Sequence, residues 1–147
     1  MQAALGRCEW SKAVLMALHL NERELREKVV DSVPQAEVDL AAKALPASYA
    51  LRLLGVLADR LGHSPRLEFH LTWCLVALRY HGSHLKGLAA SDTRAVSTMR
   101  NLQRVMTLHQ TDLFKLCQEN QYTLDFIASS GGAKEIEEGP TRTEVLA

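Results

Sequence analysis

Hydrophobic and polar positions along this chain recur at three- and four-residue intervals, and strict two-residue alternation is absent. That period predicts helices and no sheet. Residues 13–18 are apolar on every side, the mark of a short helix buried among neighbours. Asn21, with Glu24 three residues on, has the form of a capping box that opens a helix over 22–33. Pro34 and Pro46 each sit where a new helix can begin, because proline suits a first helical turn and disrupts an interior. The sequence Gly62-His63-Ser64-Pro65 is the clearest boundary, and the helix after it is expected to run to His81. Gly82 to Ser91 reads as a connector, and Asp92 as the cap of a further helix. Its apolar stripe is Ala95, Met99, Leu102 and Met106, extended by Leu113 and Leu116, with a break expected near Asn120.

The helix after Pro65 has an unusual wheel. At 100° per residue, Leu67, Leu71, Cys74 and Leu78 gather on one side, and Phe69, Trp73, Val76 and Tyr80 on the opposite side. A helix with two apolar faces needs cover from two directions. Either neighbouring helices of the same chain supply both covers, or one face is left to a partner. Trp and Tyr are enriched at interface hot spots, so Phe69, Trp73 and Tyr80 form the candidate partner face.

The expected architecture is therefore all-α, an irregular solenoid-like stack of about 6–8 helices paired as hairpins. It occupies residues 1–128 as one helical domain. Residues 129–147 open on Ser-Ser-Gly-Gly and lack a sustained apolar period, so they are expected to form a disordered tail.

Composition narrows the function classes. Apolar residues are 47% and charged residues 23% of the 147, a globular balance. The 17 basic and 17 acidic residues cancel, nine of each through Cys74 and eight of each after it. A phosphate-tracking domain normally carries a basic excess, so direct nucleic-acid binding is disfavoured; its local support is Arg100 and Arg104 on one helical face, with Lys86 and Arg94 as neighbours in sequence. Cys8, Cys74 and Cys117 are too few and scattered for a disulfide framework. Without a leader-like start or an apolar run of about 18 residues, an intracellular soluble protein is expected, with no membrane partner.

Chemistry-bearing motifs are sparse. His81 and His84 are three apart, but no Cys or carboxylate cluster completes a tetrahedral metal set. His81 is instead expected to cap or end its helix, and His84 to lie at the surface. Cys74 has His70 one turn before it, yet it belongs to an aliphatic stripe and lacks a third, orienting group. Phosphate-cradling glycine loops are missing and the carboxylates are dispersed. A non-enzyme without cofactor or metal is the expected class.

Residues 64–126 also carry a pattern. Leu67-Glu68-Phe69, Trp73, His81-Gly82, Leu85-Lys86, Leu102-Gln103, Asp112-Leu113, Lys115-Leu116-Cys117, Asn120 and Tyr122 closely resemble the C-terminal helical domain of the WD-repeat proteins of the small-subunit processome. Upstream, residues 13–22, Val33-Pro34, Leu45-Pro46 and Tyr49 extend the likeness, which runs from Ala3 to Ala128. The resemblance implies a nucleolar scaffold in ribosome biogenesis and rRNA processing. Its helical domain would pair with those of sibling WD-repeat subunits of the B subcomplex, within a ribonucleoprotein particle of precursor rRNA and snoRNA. It also implies fold-defining roles for Leu67, Phe69, Leu71, Trp73, Leu102, Leu116 and Tyr122, and leaves Glu68, Lys86, Asp112, Lys115 and Asn120 as polar motif members. Full-length relatives carry propellers upstream that this sequence lacks, so an isolated C-terminal piece is expected. Direct binding of structured RNA and a generic helical adaptor are the alternative functions.

Overall fold

Chain reversal at Asn21 sets the first helical hairpin. The computed structural model describes residues 9–134; Cys8 and the tail beyond Lys134 lie outside them. Helix α1 (Trp10–Leu20) ends at Asn21, which has φ 59°, and α2 (Arg23–Ser32) follows at once. Asparagine tolerates this left-handed conformation better than most residues, and its Oδ1 accepts a 3.1 Å bond from Arg26 Nη1. The expected capping box does not form. An N-cap residue needs extended backbone, which Asn21 gives up to turn the chain, and Glu22 takes that place without a side-chain cap.

Pro34 leads into a 3-10 turn (Gln35–Glu37) and α3 (Val38–Ala44), and Pro46 stands immediately before α4 (Ala47–His63). Ser64 ends α4, and its Oγ accepts the Arg66 N–H at 3.3 Å, just ahead of α5 (Leu67–Ala89). Asp92 caps the last helix, α6 (Thr93–Lys134), through a 2.8 Å bond from the Arg94 N–H. These six helices, with no strand among the described residues, make the all-helical fold that the periodicity predicts.

Three boundaries differ from the sequence expectation. Helix α5 does not stop at His81 but continues through Gly82 and Gly87, absorbing most of the expected connector. His81 and Leu85 explain this, because both are buried; His81 sits in mid-helix, where its Nε2 donates to the Ala42 carbonyl of α3 at 2.9 Å. Its expected capping role is replaced by a tertiary bond. Helix α6 passes Asn120 unbroken, and it continues to Lys134 through the first six residues of the expected tail.

The residues through Thr107 form one compact unit, and those from Leu108 a second. In the first unit α5 packs chiefly on α4 and α3, while α1 lies against α2, α3 and α4. Leu53, Leu54, Leu57 and Leu61 of α4 meet Phe69, Trp73 and Ala77 of α5 in one apolar cluster, which takes in Val14, Leu18, Val29 and Val30 from the opening hairpin. Leu102 and Val105, from the start of α6, complete it.

A polar clamp ties α2 to α4 and α5 beside this cluster. His70 is fully buried, with Nδ1 2.8 Å from the Arg66 carbonyl oxygen and Nε2 2.8 Å from Asp31 Oδ1. Both partners are oxygens, so each ring nitrogen of His70 is held in place by a polar contact. Asp31 Oδ2 also accepts from Arg60 Nη2, and the Asp31 carbonyl accepts from Arg66 Nη1 at 2.9 Å. One aspartate thus gathers His70 and Arg60 on its carboxylate and Arg66 on its backbone carbonyl.

Two losses of stability follow. Trp73→Ala removes the largest fully buried side chain and is expected to cost about 3–5 kcal/mol, read by urea unfolding. Trp73→Phe should cost clearly less, since it keeps most of the apolar contact and removes an indole N–H that is buried without a partner. Asp31→Ala strands buried donors on His70 and Arg60 and should cost about 1–3 kcal/mol in the same assay. A wild-type unfolding curve for Asp31→Ala would show that the clamp contributes nothing.

Candidate functional site

Helix α5 resolves its two apolar faces in favour of the aromatic one as core. Phe69 and Trp73 are buried, and Val76 with them. Tyr80, at the margin, is 36% exposed and donates its hydroxyl to the Asp39 carboxylate at 3.0 Å. That hydrogen bond raises the Tyr80 pKa above the ordinary phenol value, with desolvation adding to it. The candidate partner face of Phe69, Trp73 and Tyr80 is therefore covered by the chain's own helices at Phe69 and Trp73. The physical reason is area: flat aromatics remove the most apolar surface from water when they are turned inward.

The aliphatic side of α5 stays partly open instead. Leu67 and Leu71 are half-buried, Leu75 is 69% exposed, and Leu78 lies at the edge of the same side. With Met106 of α6 they line a shallow apolar groove of about 460 Å³. Cys74 forms its floor; desolvation pushes this thiol up to about 12, which makes it inert at neutral pH. His70 is committed to Asp31 and Arg66 and does not activate it.

The motif residues divide sharply by burial. Phe69, Trp73, His81 and Leu85 are buried, Leu67 and Gly82 are half-buried, and Glu68 and Lys86 are exposed. Leu116, Cys117, Asn120 and Tyr122 all fall in the second unit, and all are exposed. Every residue from Gln110 to Ser130 is exposed, along nearly six turns of helix. Leu108, Leu113, Phe114, Leu116, Tyr122, Leu124, Phe126 and Ile127 are 49–72% exposed there.

This second unit is the candidate site. A lone helix in water is marginal, since most helical stability in proteins comes from packing an apolar face. Fully burying a side chain of Leu, Ile or Phe size gains about 1.5–3 kcal/mol, so eight large ones left in water represent a large unrealised gain. Patches of this kind mark interaction surfaces. On the wheel, Leu113, Leu116, Cys117, Leu124 and Ile127 fall on one side, and Leu108, Tyr122 and Phe126 on the other. The interfacial signal legible in the sequence was this continuous period past Met106 with no glycine before Gly131.

Other chemistry is thin. Arg100 and Arg104 are exposed, and Arg104 donates to Asn101 at 3.3 Å. His84 is exposed. Among the described residues, no group of three or more His, Cys, Asp or Glu is placed to hold a metal ion, and no helix is long and apolar enough to cross a membrane.

Comparison with known proteins fits the helical motif. The mouse periodic tryptophan protein 2 homolog is 32% identical over 127 residues, which is 86% of this chain and 14% of the relative. Periodic tryptophan protein 2 of Arabidopsis thaliana is 32% identical over 129 residues, 88% of this chain, and that of Saccharomyces cerevisiae is 30% identical over 132 residues, 90% of this chain. In both, the chain again spans 14% of the relative's length. The model of the Dip2/Utp12 Family matches residues 21–129, which takes in the core helices and the exposed helix alike. With three quarters of its length under that match, the chain belongs to the Dip2/Utp12 family.

Proposed function

We propose that this chain is a non-catalytic assembly module of the small-subunit processome. In this reading it supports pre-rRNA processing and small ribosomal subunit biogenesis in the nucleolus. It does so by docking its helices onto the helical domains of sibling WD-repeat subunits. The observation that carries the reading is the run of exposed residues from Gln110 to Ser130, a helix with two apolar stripes. The family match extends over that helix, and the relatives named periodic tryptophan protein 2 align with most of the chain. Contact with the precursor RNA is assigned to other parts of the particle, because the charge of this chain is balanced.

A scaffold of this type needs a folded base and a free adhesive element. The first unit supplies the base through the Trp73 cluster, and the second supplies the element. Co-purification of the 147-residue chain with the C-terminal helical domains of the sibling subunits tests this directly. At least one sibling should be retained, and Leu116→Asp combined with Leu124→Asp should abolish retention while leaving the melting temperature within about 2 °C of wild type, as expected for exposed substitutions. Failure of every sibling to bind a folded chain would count decisively against the proposal.

A further inference from the structure

The exposed helix carries more specification than apolar area. Leu113, Leu116, Asn120, Thr123 and Ile127 follow one another at spacings of three, four, three and four, the a and d positions of a heptad repeat. Two polar residues, Asn120 and Thr123, interrupt the middle of that seam. Its two flanks differ in character. On one flank Cys117 and Leu124 widen the apolar strip, and on the other Asp112 and Glu119 line it one heptad apart, with Phe126 at the next repeat. All of these side chains are exposed.

We infer that this seam receives an amphipathic helix of another protein, one that presents lysines or arginines towards Asp112 and Glu119 and a polar side chain towards Asn120. The inference rests on the assembly reading above and adds the chemistry of the partner. A single Asn at an a position is satisfied by a polar residue across the seam, and so it fixes register at some cost in affinity. Carboxylates at the flank are satisfied by cations at the facing flank.

A second copy of this chain fits poorly. An antiparallel pair sets the acidic flank of one copy against the same flank of the other, so Asp112 and Glu119 meet carboxylates. A parallel pair sets them against Cys117 and Leu124, which offer no charge. Neither arrangement pairs the acids, whereas a helix with basic flanks pairs both. A phosphate backbone is excluded as occupant by the same acidic flank.

The probes are three synthetic helical peptides of three heptads with leucine at a and d. One carries lysine at all flanking positions and asparagine at the central a position. The second replaces lysine by glutamate, and the third replaces the central asparagine by leucine. Like charges on the flanks keep each peptide from pairing with itself. Fluorescence anisotropy of the labelled peptides, titrated with the full 147-residue chain, should show the first peptide bound at least about tenfold more tightly than the glutamate peptide. The double variant Asp112→Lys and Glu119→Lys, both exposed, should invert that order. Asn120→Leu should turn the preference from the asparagine peptide to the leucine peptide.

Equal binding of the lysine and glutamate peptides, or an order that survives the charge reversal, overturns the inference. So does a chain that sediments as a dimer dispersed by Leu116→Asp, which would give the seam to a second copy. The two readings separate cleanly. Sibling domains retained without any charge preference among the peptides would sink this inference and leave the assembly role standing. Peptide preferences as stated with no sibling retained would do the reverse.

Discussion

Burial of Trp73 is the constraint on which the first unit depends. Helix α5 is apolar on two sides, and its aromatic side carries too much area to leave in water, so α3 and α4 close over it. Trp73 has no exposed surface even though its indole N–H lacks a partner. An unsatisfied buried N–H costs about 1–3 kcal/mol, and the sequence retains it because removing a large aromatic from water gains more. Once that face is inside, the orientation of α5 is set. Leu67, Leu71 and Leu75 must then point outward with less cover, and their open groove is a consequence of the choice.

Apolar area alone leaves helices free to slide, and the Asp31 clamp removes that freedom. A carboxylate shared by His70 and Arg60, on a residue whose backbone carbonyl accepts from Arg66, is satisfied in one register only. The bond from His81 to the Ala42 carbonyl does the same for α3 against the far half of α5. Both are directional contacts laid on a non-directional core. Together they fix the register of the helices within the first unit.

Much of this was legible in the sequence, and the rest failed for identifiable reasons. Pro34, Pro46 and Asp92 marked element boundaries because each acts locally, through ring geometry or a cap two residues away, whereas Ser64 marked the end of α4 and the N-cap of α5 is Arg66. Gly82 and Gly87 do not stop α5, because a glycine costs a helix about 1 kcal/mol and packing exceeds that, and Asn120 does not stop α6, because asparagine lies within about 0.7 kcal/mol of alanine in a helix interior. No side chain approaches the space beside Gly82 or Gly87, so neither glycine is there for a close contact; buried His81 and Leu85 carry the helix through. Asn21 misled in a different way, since capping and chain reversal draw on the same residue and only the tertiary course decides between them. The wheel of α5 correctly placed two faces but cannot rank them, because ranking needs the partner helices.

The same limit governs which apolar face is open. Aromatic residue types drew attention to Phe69, Trp73 and Tyr80, yet residue type measures how strongly a face wants cover and not whether it already has it. Burial supplies the missing half. A chain has a finite number of helices with which to cover its own apolar stripes, and here α3 and α4 are spent on the aromatic face of α5. The apolar period of α6 nevertheless continues past Met106 with the same spacing, through Leu113 and Leu116 to Ile127. A helical stripe that continues in register with large apolar side chains exposed is of the kind that marks interaction surfaces.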